Sequence, residues 1–233
     1  MMGKVIMSGI VPPLVAPVTY ADNFADNTWE QIIDACQKNA VPDTWLVGDQ
    51  KAMTINGTDY LIDIIGKNHD DYADGSGKAP LTFQMHDLYE TQYRINVTQT
   101  LSWEVSEMRN TYLPLIMESM PSNVQSGIRA VNKKSSAGNL SSTIITTADK
   151  MFLLAEYEVH GSIEYSYSGE GKQYAYYVAG NSKIKTRIGS ADNWWLRSPS
   201  NDYGHFYCLV GASGGKGRDA SQVNHGVSFA FCF

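Results

Sequence analysis

Cysteine is scarce in this chain. The three thiols, Cys36, Cys208 and Cys232, are an odd number with no C-x-x-C spacing, so neither a disulfide framework nor a zinc site follows. Assembly in a reducing cytosol fits such a set. Charge is also thin, at 18% of residues, and positive charge is the minority: 18 Lys and Arg against 24 Asp and Glu, a formal net charge of -6. Sequence-independent nucleic-acid affinity needs clustered Lys and Arg, so no nucleic-acid partner is expected. Lys133-Lys134 is the one adjacent basic pair and reads as a solvated turn. Long apolar runs are missing too. Residues 4–18 come nearest, but Pro12, Pro13 and Pro17 interrupt them and only Lys4 precedes them, which argues against a cleaved signal peptide and against membrane insertion. The prolines favour an extended leader or attachment segment, drawn over residues 1–27.

What is present describes one folded domain over residues 28–233. Hydrophobic residues make up 43% and aromatics 11%, enough for a substantial core at this length. Thr28-Trp29-Glu30-Gln31 has the spacing of a capping box, and Ile32, Ile33, Cys36 and Ala40 follow at helical intervals until Val41-Pro42. Residues 44–47 and 58–66 read as strands of a small antiparallel unit, joined through Asn56-Gly57, a dipeptide that accepts the positive φ of a tight turn. Ser102 is placed to cap a second helix carrying Val105, Met108 and Tyr112, with Pro114 closing it or opening a third. Between 125 and 185 the periodicity is weaker. Short β-branched stretches occupy 128–131 and 143–147, residues 150–159 read as helix or strand, and the tyrosines from 161 to 180 suggest turns and exposed edges. The fold class is α+β, with short antiparallel strands, two or three helices and long irregular loops.

The last forty residues carry most of the functional signal. Trp194-Trp195-Leu196-Arg197-Ser198-Pro199 and the closing run Val227, Phe229, Phe231, Phe233 are apolar bookends, the second with the period of a strand that buries one face. Between them, 201–225 shows no sustained period and mixes Asp, Tyr, His, Arg and Asn with glycines, the residue set that gives adaptable contacts at low entropic cost. Loops held on a rigid scaffold often carry function.

These residues resemble a family. The 194–199 block, the polar stretch and Gly226-Val227-Ser228-Phe229 with Phe231-Cys232 are similar to the variable proteins of diversity-generating retroelements in phages and prophages. Upstream, Ile64 to Asp71, Met108-Arg109-Asn110-Thr111, the block from Asp149 to Val159, and Gly180-Asn181-Ser182 with Ile184-Lys185 resemble the associated scaffold. The resemblance implies a C-type lectin-like fold over 28–233 with 194–233 as its variable region, and a non-enzymatic protein that displays diversified side chains. It implies exposed contacts at Asn201, Asp202, Tyr203, His205, Tyr207, Arg218, Asp219, Ser221, Val223, Asn224 and His225, and framework roles for Phe206, Gly214 and Ala220. It further implies a protein or glycan receptor on a bacterial surface, attachment to phage tail proteins through the N-terminal segment, and a place in a phage tail or prophage-encoded structure. No cofactor and no metal are expected.

Other readings compete. Asn68-His69-Asp70-Asp71 with Asp74-Gly75-Ser76-Gly77 spaces its carboxylates as a cation loop would, but lacks the terminal Glu of an EF-hand, so a hydrogen-bonded turn is the simpler reading. Cys208 and Cys232 admit a redox or copper site, because formylglycine-generating enzymes share the lectin-like architecture; burial as ordinary core thiols is the default. Calcium-dependent carbohydrate binding is prompted by acids near aromatics, although no Glu-Pro-Asn motif is present. Trp194-Trp195 can stack on sugar or base rings, yet beside Leu196 they read as core.

Overall fold

The computed structural model describes residues 18–98 and 102–233; the proline-bearing residues 4–17 lie outside them. Helix α1 (Trp29–Gln37) opens on the expected box: Gln31 N–H donates to Thr28 Oγ1 at 3.2 Å and Thr28 N–H to Gln31 Oε1 at 2.8 Å. Packing begins earlier than residue 28, since Phe24 is buried against Trp45 and Phe83.

Strands β1 (Gln50–Ile55) and β2 (Thr58–Lys67) form the hairpin, with Asn56 and Gly57 at φ of 50° and 79° as its turn requires. The first strand is therefore 50–55, not 44–47. Residues 44–47 form turns because Trp45 is claimed by the core: its indole N–H reaches Ala21 O at 2.9 Å. After β3 (Leu81–Met85) the expected Ser102 helix divides into a 3-10 turn (Trp103–Val105) and a π-helical turn (Met108–Tyr112). Ser102 makes no side-chain cap, and Val105 faces solvent. Asn110 Nδ2 binds Glu104 O and Ser106 O at 2.9 and 3.0 Å, side-chain bonds that compete with regular helix pairing. Pro114 then sits in the first turn of α2 (Leu113–Glu118), followed by α3 (Ser122–Gly127).

A long hairpin, β4 (Val131–Gly138) with β5 (Ser141–Asp149), leads to β6 (Met151–Phe152) and α4 (Glu156–His160), so 150–159 holds both a strand and a helix. The tyrosine-rich segment is less exposed than its composition suggests: Tyr174, Tyr176 and Tyr177 are buried around α5 (Ala175–Val178). The small hairpin β7 (Lys185–Arg187) and β8 (Ser190–Asp192) precedes β9 (Trp194–Pro199), β10 (Phe206–Val210), β11 (Lys216–Ala220) and β12 (Ala230–Cys232). The insert 201–225 thus contains two strands. β10 is an apolar run buried on both faces, whereas β11 has no strand-like sequence and is held as an edge by pairing with β10.

The fold is α+β with mostly antiparallel sheets. The main sheet has the order β1-β2-β3-β12-β6, and a second has the order β11-β10-β9. β12 lies in the interior, antiparallel to both β3 and β6, with Phe231 opposite Phe83 and their rings 5.3 Å apart. Being covered on both faces, the closing run does not alternate: Ser228, Ala230 and Cys232 are as buried as Val227, Phe229 and Phe231. Gly226 allows β9 to approach this run, since a Cβ there would collide with Leu88 and with Asn193 O. Among the described residues no helix is long and apolar enough to cross a membrane.

Candidate functional site

The base of the candidate surface is rigid. All six residues of β9 are buried, Trp194 and Trp195 completely so, and the indole N–H groups donate to Lys183 O at 3.0 Å and Tyr93 O at 2.9 Å. On this base the structure gathers most of the sequence-predicted contacts into one rim. Asn201, Asp202, Tyr203, Val223 and Asn224 are exposed, and His205, Arg218 and Asp219 are half-buried. Arg218 bridges to Asp202 at 2.6 Å and stacks its guanidinium over Tyr165 and Tyr203, 4.0 and 5.2 Å from the ring centroids. Phe206 stacks on Tyr203 at 4.9 Å and meets the His205 ring edge-on at 4.8 Å. Asn201 anchors the loop through its amide to Ser166 O at 2.9 Å.

Three of the expected contacts are not on the rim. Tyr207 is buried on β10 between Pro199 of β9 and Asp219 of β11, where desolvation drives its phenol well above the ordinary range. Ser221 is fully buried: its carbonyl accepts from Ile95 N–H and Asn96 N–H at 2.9 and 3.0 Å. His225 packs edge-on against Trp195 at 4.7 Å, pairs through Nε2 with Asp219 at 2.9 Å and exchanges backbone hydrogen bonds with Tyr93. These side chains hold the surface in place and do not present it. Sequence reasoning also missed Tyr165, which forms one face of the arginine sandwich; its only signal was membership of the tyrosine-rich run. Gly211-Ala212-Ser213-Gly214-Gly215 spells G-x-S-x-G, but it forms the β10–β11 turn, with Gly211 N–H bonded to Gly215 O at 2.8 Å. A nucleophile elbow needs a strand-to-helix context that is absent here.

The acidic loop 68–77 is built differently from a cation cage. Each of three carboxylates meets a protein cation: Asp70 with Lys133 at 2.7 Å, Asp71 with Lys78 at 2.9 Å and Asp74 with Arg129 at 2.6 Å. Asp74 also accepts from Ser76 N–H at 2.9 Å, an Asx turn. Asp70 and Lys133 are buried, and Lys133 binds Glu158 at 2.9 Å, which in turn receives the Arg197 guanidinium at 2.6 and 2.8 Å. Burial alone would raise the Asp70 carboxyl, but the Lys133 charge and hydrogen bonds from Lys133 and Thr82 hold it down at about 2. Lys133-Lys134 is thus no solvated turn: strand alternation sends Lys133 inward and leaves Lys134 exposed. Among the described residues, no three His, Cys, Asp or Glu side chains cluster closely enough to hold a metal.

All three cysteines are free and buried, and desolvation pushes the Cys36 thiol up to about 12 and those of Cys208 and Cys232 well above their ordinary value. Such thiols are poor nucleophiles at neutral pH.

An antiparallel α+β scaffold with a polar rim on its three-stranded sheet is the class these observations define. The chain belongs to the family described as a domain of unknown function (DUF6273), whose profile matches residues 70–233. No curated protein and no solved structure matches the chain.

Proposed function

We propose that this chain is a non-enzymatic ligand- or receptor-binding protein whose scaffold is C-type lectin-like. In this reading it is a retroelement-type variable protein that displays its rim at a phage tail or a prophage-encoded surface structure, toward a protein or glycan on a bacterial cell. The observation that carries the proposal is the division of labour in 201–225. Exposed and half-exposed side chains of many chemistries stand together on two strands and a loop, while the residues beneath them are buried and hydrogen-bonded. That arrangement lets rim residues change with little cost to the fold. The terminal strand's return to pair with β3 and the separate three-stranded sheet agree with a lectin-like plan. The buried, poorly acidic thiols favour this reading over a thiol-based enzyme.

The test replaces Tyr203, Val223 and Asn224 together by Ala and applies the fluorescently labelled parent and variant to a panel of intact bacterial cells. The parent should stain some strains, and the variant should lose at least about tenfold in affinity, because exposed aromatic anchors at an interface often contribute about 2 kcal/mol each. Its melting temperature should stay near the parent's, as surface changes alter stability by about 0.5 kcal/mol or less. Equal staining by the variant would remove the rim as the recognition surface.

A further inference from the structure

A second concave site shares no residue with the rim. Beside the 68–77 loop, where β4 meets the segment preceding α5, lies a pocket of about 160 Å³ lined by His69, Lys133, Lys134, Glu170, Gly171 and Lys172, among others. Its floor is buried and almost saturated. Lys133 is spent on Asp70, Glu158 and the Tyr174 hydroxyl, at 2.7, 2.9 and 3.0 Å. Glu170 is the exception. One carboxylate oxygen accepts from Ser136 N–H at 2.7 Å, but Oε2, fully buried, completes no hydrogen bond. A buried polar oxygen left in this state costs free energy unless something supplies a partner. The mouth is net positive: exposed Asp71 is paired with Lys78, while Lys134 and Lys172 are exposed and among the described residues neither has an ion pair. Gly171 leaves the wall bare, since its φ is +153° and a Cβ there would strike the Glu158 carboxylate. His69 lies flat on Tyr174, the ring centroids 3.9 Å apart.

We propose that this pocket binds a small hydroxylated oxyanion, a sugar phosphate or a sugar acid, with its anionic group between Lys134 and Lys172 and a hydroxyl hydrogen-bonded to Glu170 Oε2. Two unpaired ammonium groups favour an anion at the mouth, because charge-assisted hydrogen bonds to phosphate or carboxylate are the strong ones. The unpartnered oxygen on the floor asks for a second hydrogen-bonding group held apart from the anionic one, which inorganic phosphate lacks and a sugar ring has. The volume is below the roughly 300 Å³ at which drug-sized pockets begin, which limits the occupant to about one sugar unit.

NMR of the aromatic signals of His69 and Tyr174 reads occupancy directly, with four probes: glucuronate, a glucose phosphate, glucose and inorganic phosphate. Glucuronate or the glucose phosphate should shift both rings at millimolar concentration, and inorganic phosphate and glucose should act far more weakly. The paired substitution Lys134→Ala with Lys172→Ala, at exposed positions, should fold normally and weaken the sugar anion by about tenfold or more. Lys150→Ala, in a different groove, should change nothing. The proposal is overturned if neither sugar anion shifts the rings, if the paired variant binds as the parent does, or if inorganic phosphate binds as tightly as the sugar anions.

Discussion

A carboxyl buried with one oxygen unpaired, as Glu170 is, makes folding depend on pH. Burial is the largest influence on it, and the pulls of Ser198, the Ser136 amide and Arg197 do not cancel it, so its pKa rises from 4.5 to about 7. The folded state then holds a proton that the unfolded chain has released. Its contribution to stability is fully present below about pH 4.5 and is lost as pH rises through about 7. Urea unfolding of the parent and of Glu170→Gln, compared across that window, should show the parent losing up to about 3 kcal/mol relative to the variant as pH rises. Parallel curves would mean that Glu170 is already ionised in the folded protein. None of this was legible in the sequence. Glu170 and Lys133 are ordinary charged residues in the chain, and the partners of Lys133, Asp70 and Glu158, stand 63 and 25 residues away from it.

Elements fixed by neighbouring residues were readable, and those fixed by distant ones were not. The Thr28–Gln31 box and the Asn56-Gly57 turn act within four residues, so α1 and the β1–β2 turn follow from local chemistry. The strand mistaken at 44–47 and the broken helix after Ser102 were decided by Trp45 reaching Ala21 and by Asn110 reaching back to Glu104. The closing run read as one strand over 227–233, of which only Ala230–Cys232 is a strand, and its place between β3 and β6 was not readable because that pairing spans most of the chain. Its removal should be decisive. A chain ending at Gly226 loses Val227, Phe229 and Phe231 from the core, each contributing roughly 1.5–3 kcal/mol against a total of about 5–15 kcal/mol. Circular dichroism should show no cooperative melt; a transition near the parent's midpoint would mean the main sheet closes without β12.

For the molecule as a whole, the loop acids most suggestive of a cation are already neutralised by Lys133, Lys78 and Arg129, so no ion's binding free energy should be linked to folding. A thermal melt with excess chelator should overlay the melt without it, and a large drop would bring back the calcium-lectin reading. The rim itself was legible in outline: composition marked 201–225 as a surface, while Tyr207, Ser221 and His225 could be assigned inward only once β10, β11 and Trp195 had been placed. The position of β12 has a genetic consequence. A frameshift or premature stop anywhere in 201–225 would deprive the main sheet of its interior strand, whereas an in-frame exchange of Tyr203 or Asn224 would not touch that sheet. Under the proposed display function, folding would inspect each copy after its rim segment has been made: misread messages yield chains for proteolysis, and only continuous ones can present a surface.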